Sequence, residues 1–325
     1  MSVFTPLTHY DVSEFMRQFD LGDVLRIKGI SGGSENTNYF VDCTSGAYVL
    51  TLVERGPVQD LPFFIALLDC LQKSGLPVPF AFRNREGLAL LSLKNKPALL
   101  QPRLPGQHPD KVSPAQCAEL GALLASLHSA ACGLQRTSDR GPEWVLNESM
   151  QFLRTVWLSD QQWLQPCLKG LSEWLATAPT LPQAVIHGDL FRDNAMFEGE
   201  HISGVIDFYN AATGWTLLEL AICVNDWCVD VIEGAPVIDN TRVQALIQAY
   251  TKSRAFSEAE QQAWPFMLQL AALRFWLSRQ QYAGLHQGQP DVLIKDPDYF
   301  RQLLKLHYSQ FASPQFASSR FASND

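Results

Sequence analysis

The chain has 325 residues, 46% of them hydrophobic and 18% charged, the proportions of an ordinary globular protein and too apolar for long disordered stretches. A net charge of -8 and a pI near 5.4 leave no basic face for non-specific nucleic-acid binding, although a local pocket could still take a nucleotide. Residues 1–20 show no basic-then-apolar leader and no apolar run reaches a membrane span, so a soluble, cytoplasmic chain is expected. The seven cysteines form no CxxC pair and sit mostly in apolar segments, which reads as reduced core thiols.

In chain order, the first part is strand-rich. Val24–Ile30, Thr37–Cys43 and Ala47–Val53 are short β-type runs parted by Ser31-Gly32-Gly33-Ser34 and Thr44-Ser45-Gly46, an antiparallel meander. A helix follows, capped at Asp60, with Pro62 in its first turn and Gly75 as its stop. Two more strands, near Leu88–Leu93 and Ala98–Gln101, complete a small sheet. The segment 102–110 is a linker: two prolines and a glycine within Pro102–Gly106 forbid regular structure. Beyond it Ser113-Pro114-Ala115-Gln116 is a capping box, and helical patterns recur near 147–157, 161–176, 216–231, 241–253, 258–284 and 297–310. Residues 184–208 interrupt them with two β-type runs around a polar loop. The tail, 311–325, repeats Phe-Ala-Ser three times and reads as a flexible end. The expected organisation is an N-lobe (1–101), a hinge (102–110), a helical C-lobe (111–310) and the tail.

Chemistry concentrates in His187-Gly188-Asp189-Leu190-Phe191-Arg192-Asp193-Asn194, followed by Ile206-Asp207-Phe208. Phosphoryl transfer needs a carboxylate to orient or deprotonate the attacking hydroxyl, and oxygen ligands for a Mg²⁺ that bridges the phosphates. Asp189 suits the first task; Asn194, five residues on, and Asp207, at a strand end, suit the second. His187 reads as a scaffold for the loop and Asp193 as a solvated spectator. Upstream, Ser31, Gly32, Gly33 and Ser34 are small enough for backbone N–H groups to approach phosphate oxygens.

The pattern H-G-D-x-x-x-x-N followed by I-D-F resembles the catalytic and metal loops of the aminoglycoside phosphotransferase and choline kinase superfamily. That resemblance implies a two-lobed protein-kinase-like α+β fold binding ATP, with GTP not excluded, and Mg²⁺ in the interlobe cleft, the base meeting Gln101, Arg103 and Leu104. It also implies a lysine on the third strand, where this chain has Thr51. Ser34–Val41, Tyr48–Leu52, Gly75–Pro79, Ala221–Cys228 and Ala272–Arg279 are similar to the type II homoserine kinases, over about residues 10–305. In that branch Thr51 is the usual residue; Arg192 and Glu219 depart from its proline and aspartate.

The resemblance implies a small amino-acid acceptor, L-homoserine, on the way to threonine. A zwitterionic acceptor needs a cation and an acid, for which Arg274 and Asp226 are the candidates, although both also suit ion pairs within the helical lobe. Other acceptors remain open: a choline or ethanolamine would use an aromatic cage, for which Trp215, Trp227 and Trp276 are available, and an aminoglycoside an acidic face. So does a catalytically silent nucleotide-binding protein.

Overall fold

A computed structural model describes residues 4–30, 36–54, 56, 58–130, 132–155, 158–287 and 294–311. The glycine-rich segment Ser31–Ser34 and the tail beyond 311 therefore lie outside the described residues.

Five antiparallel strands form the N-terminal sheet: β1 (Val24–Gly29), β2 (Thr37–Cys43), β3 (Gly46–Leu52), β4 (Leu91–Leu93) and β5 (Lys96–Pro102), in the order β1-β2-β3-β5-β4. Side chains alternate across a strand, and here the alternation separates two jobs. Tyr39, Val41, Tyr48, Leu50, Leu52, Ala98 and Leu100 point to one face and build a core with Val12, Phe15 and Met16. Asn38, Phe40, Val49, Thr51, Leu99 and Gln101, on the opposite face, line the cleft. Helix α1 (His9–Met16) supplies the cover of the first face. It was not expected from the sequence, although its Thr8–Asp11 capping box is visible there.

Helix α2 (Leu61–Lys73) starts where expected, but the Asp60 side chain does not cap it; that carboxylate accepts from Arg136 at 2.8 Å. The helix buries Leu61, Phe64, Leu67, Leu68 and Leu71 in the core of the helical lobe rather than in that of the sheet. At 1.5–3 kcal/mol per buried apolar side chain, this anchors the helix by roughly 10 kcal/mol. Cys70 on α2 and Cys132, beyond α3, form a disulfide across 62 residues, which corrects the expectation of seven reduced thiols. The other five cysteines are free and buried.

The helical lobe contains α3 (Pro114–Ser129), α4 (Pro142–Phe152), α5 (Leu158–Ala176), α6 (Thr216–Trp227), α7 (Asn240–Thr251), α8 (Glu258–Leu285) and α9 (Asp298–Phe311). α3 and α7 cross at Gly121, where an added Cβ would lie 2.2 Å from the Leu246 carbonyl oxygen. α6 is almost wholly buried, as its mostly apolar sequence demands. Small antiparallel pairs carry the loops: β6 (Gln183–Ile186) with β9 (Ala212–Trp215), and β7 (Ala195–Glu198) with β8 (His201–Val205). The helix expected to run to residue 231 ends at Trp227. A hairpin, β10 (Val229–Ile232) and β11 (Ala235–Ile238), takes over, its turn made by Glu233 and Gly234, both at positive φ.

Candidate active site

The cleft between sheet and helical lobe encloses about 1040 Å³, and Asp189, Asn194 and Asp207 all line it. Strand β6 ends at Ile186 and delivers the loop 187–194; β8 ends at Val205 and delivers Asp207. The Ile206 N–H donates to the Asn194 carbonyl at 3.0 Å, which ties the two loops together.

His187 is fully buried and acts as the expected scaffold. Its Nδ1 accepts from the Asp189 N–H at 3.2 Å, so the proton belongs on Nε2, 2.9 Å from the Ile206 carbonyl. Gly188 follows at φ +78, with an added Cβ 2.9 Å from the Asn210 carbonyl oxygen, so only glycine makes this turn without strain. Beneath the loop, the fully buried Glu219 of α6 accepts from the N–H groups of both His187 and Gly188. Burial works to raise the pKa of this carboxyl. His128 and the backbone donors more than offset it and hold the group below the usual carboxylate range. Trp227 of the same helix donates Nε1–H to the Leu190 carbonyl at 2.9 Å.

The carboxyl of Asp189 is pushed up to about 8, first by burial and then by the charge of Asp207. Asp207 is raised too, again first by burial, and its backbone sits in the left-handed region at φ +65, an uncommon state for a residue with a side chain. Two poorly solvated carboxylates sharing a cleft favour a cation between them. Asn194 fits that demand: its Nδ2 donates to the Asp189 carbonyl at 2.8 Å, which leaves Oδ1 as an acceptor. Among the described residues no group of three or more His, Cys, Asp or Glu could hold a metal unaided. An amide oxygen and one carboxylate suit Mg²⁺, which keeps waters and phosphate oxygens in its shell.

Thr51, Gln101 and Arg103 line the cleft as expected. Thr51 is buried and its hydroxyl donates to Asn38 Oδ1 at 2.7 Å, so this position of the sheet offers dipoles instead of a charge. Arg103 lies over the Phe40 ring at 4.0 Å.

The two acceptor candidates are otherwise engaged. Arg274 is buried and donates to the Gly188 carbonyl at 2.6 Å, bracing the 187–194 loop from below. Asp226 accepts from the backbone N–H of Arg192 at 2.8 Å and from its guanidinium. Neither lines the cleft, because the helical lobe turns both toward loop carbonyls and amides. Asp193, expected to be a spectator, pairs with Lys295. The tryptophans form no cage: Trp215 packs on Trp174, Trp276 stacks on Trp163, and Trp227 lies under the loop. The helical-lobe side of the cleft is lined instead by Phe275, Ser278, Arg279 and Tyr282 of α8, with Arg140 and Lys295.

Residues 26–259 match the phosphotransferase enzyme family. The chain belongs to that family. A homoserine kinase of Pseudomonas aeruginosa (strain LESB58) is 49% identical over 94% of this chain and 96% of its own length. One from Janthinobacterium sp. (strain Marseille) is 38% identical over 98% and 100%. Among solved structures, a spectinomycin phosphotransferase in complex with ADP and spectinomycin superposes with a TM-score of 0.68 at 14% identity, over 95% of this chain and all of that one. An amicoumacin kinase with AMP-PNP and Ca²⁺ also gives 0.68, at 15% identity and 94% of each chain. These neighbours confirm the two-lobed kinase-like fold. Among the described residues no helix is long and apolar enough to cross a membrane.

Proposed function

We propose that the protein is a homoserine kinase, transferring the γ-phosphate of ATP to the hydroxyl of L-homoserine to give O-phospho-L-homoserine. One observation carries the reading: relatives bearing that name match up to 49% of residues over 94% of the chain. The intact set of Asp189, Asn194 and Asp207 argues against a silent nucleotide-binding protein, and the absence of Trp215, Trp227 and Trp276 from the cleft lining against a choline cage built from them.

The transition state of phosphoryl transfer is loose, so positioning and charge matter most. Asp189 receives the acceptor's hydroxyl, orients its oxygen toward the γ-phosphorus and takes its proton as the new P–O bond forms and ADP leaves. Asn194 and Asp207 would hold Mg²⁺, which supplies positive charge against the phosphate oxygens. Glu219, His187 and Arg274 keep the loop in place. Thr51, Asn38, Gln101 and Arg103 form the nucleotide's side of the cleft.

The test is ATP turnover against a panel of L-homoserine, choline and an aminoglycoside. Phosphorylation of homoserine alone is expected. Turnover of another panel member in its place, or a melting temperature raised by ATP and Mg²⁺ with no product from any, would overturn the assignment.

A further inference from the structure

We infer that Arg279, with Arg140 beside it, is the receptor for the acceptor's α-carboxylate and sets the enzyme's choice of an amino acid over an amino alcohol. The inference rests on the homoserine reading.

Phe275, Ser278, Arg279 and Tyr282 recur at helical spacing, so one stripe of α8 faces the cleft. Arg140, just ahead of α4, joins the same stripe, its Nη1 3.5 Å from Ser278 Oγ. Most other cations near the catalytic loop are committed: Arg274 to the Gly188 carbonyl, Arg192 to Asp226, Lys295 to Asp193. Arg140 and Arg279 pair with no carboxylate among the described residues. Arg279 spends one N–H on the Asp296 carbonyl at 2.9 Å and lies over the Phe300 ring at 4.4 Å, which fixes its plane. A guanidinium has five N–H donors, so an edge remains for an anion.

The charge of Arg279 is poorly solvated. Burial pulls its pKa below the ordinary arginine value, while Asp226, Tyr299, Asp189 and Asp193 push the other way. An arriving carboxylate would complete the missing pairing. It would also place the hydroxyl, four bonds away on homoserine, on the side of the cleft where Asp189 lies. A polycationic acceptor would meet repulsion at the same wall, which separates this chain from enzymes that take such substrates.

The experiment compares wild type, Arg279→Gln, Arg279→Lys and Arg140→Gln on L-homoserine and on 3-aminopropan-1-ol, the same acceptor without its carboxylate, used as acceptor or as competitive inhibitor. Arg279→Gln is expected to raise the KM for homoserine by about 10- to 100-fold, to leave the KM for ATP within about twofold, and to leave 3-aminopropan-1-ol unaffected. Arg279→Lys should recover part of the loss, and Arg140→Gln should show a smaller one of the same kind. Equal losses on both acceptors would make Arg279 a structural brace and overturn the inference. A rise confined to the KM for ATP would assign the arginine to phosphate, with the same result. Wild type that turns over homoserine while no variant changes its KM sinks this inference alone; wild type inert on homoserine sinks the function with it.

Discussion

Asp189 carries two opposed consequences. In the free protein its carboxyl titrates near 8, far above an unfolded aspartate, because it is buried beside Asp207. An acidic group whose pKa is raised on folding weakens the fold progressively as pH climbs from the unfolded value toward the folded one. Asp189→Asn is therefore expected to melt roughly 2–5 °C higher than wild type at pH 8 in the absence of ligands, with the gap closing near pH 4. Scanning calorimetry at both pH values checks this, and an equal or lower melting temperature at pH 8 would contradict it. The same variant, and Asp189→Ala, should lose turnover by about 10²-fold or more while still binding nucleotide. Cation binding at Asn194 and Asp207 should also drive the proton off Asp189. Titration calorimetry in buffers of different ionisation enthalpy should then report proton release when ATP and Mg²⁺ bind at pH 7, and affinity falling as pH drops. The three central residues were legible in sequence because they lie within 19 positions of one another and their spacing encodes the loops. Arg140 and Arg279 were not, since each meets the site through folding alone and an isolated arginine has no local signature; Glu219 stood out only as a departure from aspartate, its place beneath the loop being set by the fold.

Elements read well wherever the sequence carried its own punctuation. Strand β2 and the start of α3 fall where alternation and the Ser113 box put them. The β10–β11 hairpin was missed because Val229–Ile232 continues an apolar helix without a break; only Glu233-Gly234 announces the turn. The acceptor residues went astray for a related reason. A helical arginine or aspartate looks the same whether it faces a cleft or the underside of a loop, and helix rotation decides. α6 shows how much an element can matter without touching substrate. Glu219→Ala would leave two buried N–H groups of the catalytic loop without acceptors, and a loss of about 3 kcal/mol of stability is expected from urea denaturation. A loss below about 1 kcal/mol would mean that water replaces the carboxylate. Gly188→Ala tests the loop itself: the Asn210 carbonyl stands in the way of a Cβ, so kcat should fall at least tenfold while circular dichroism stays unchanged.

At the scale of the molecule, the cleft divides two cores of unequal size. The sheet and α1 share a small one, whereas α2 joins the large core of the helical lobe and is stapled there by Cys70–Cys132. Cooperative opening should follow those cores and not the chain order. Native-state hydrogen exchange is expected to show β1–β3 opening at lower denaturant than α2, α6 and α8; a sheet and an α2 that open together would refute the partition. Composition and motifs could announce two lobes, yet they could not say which one owns α2, because its apolar stripe suits either core. Ownership has a practical meaning. A fragment beginning at residue 102 would look complete by lobe count, but it would present an uncovered apolar trough where Leu67, Leu68 and Leu71 belong. Such a fragment should aggregate on expression, and co-expression with residues 1–101 should rescue it, because the missing wall of the helical lobe is encoded before residue 102.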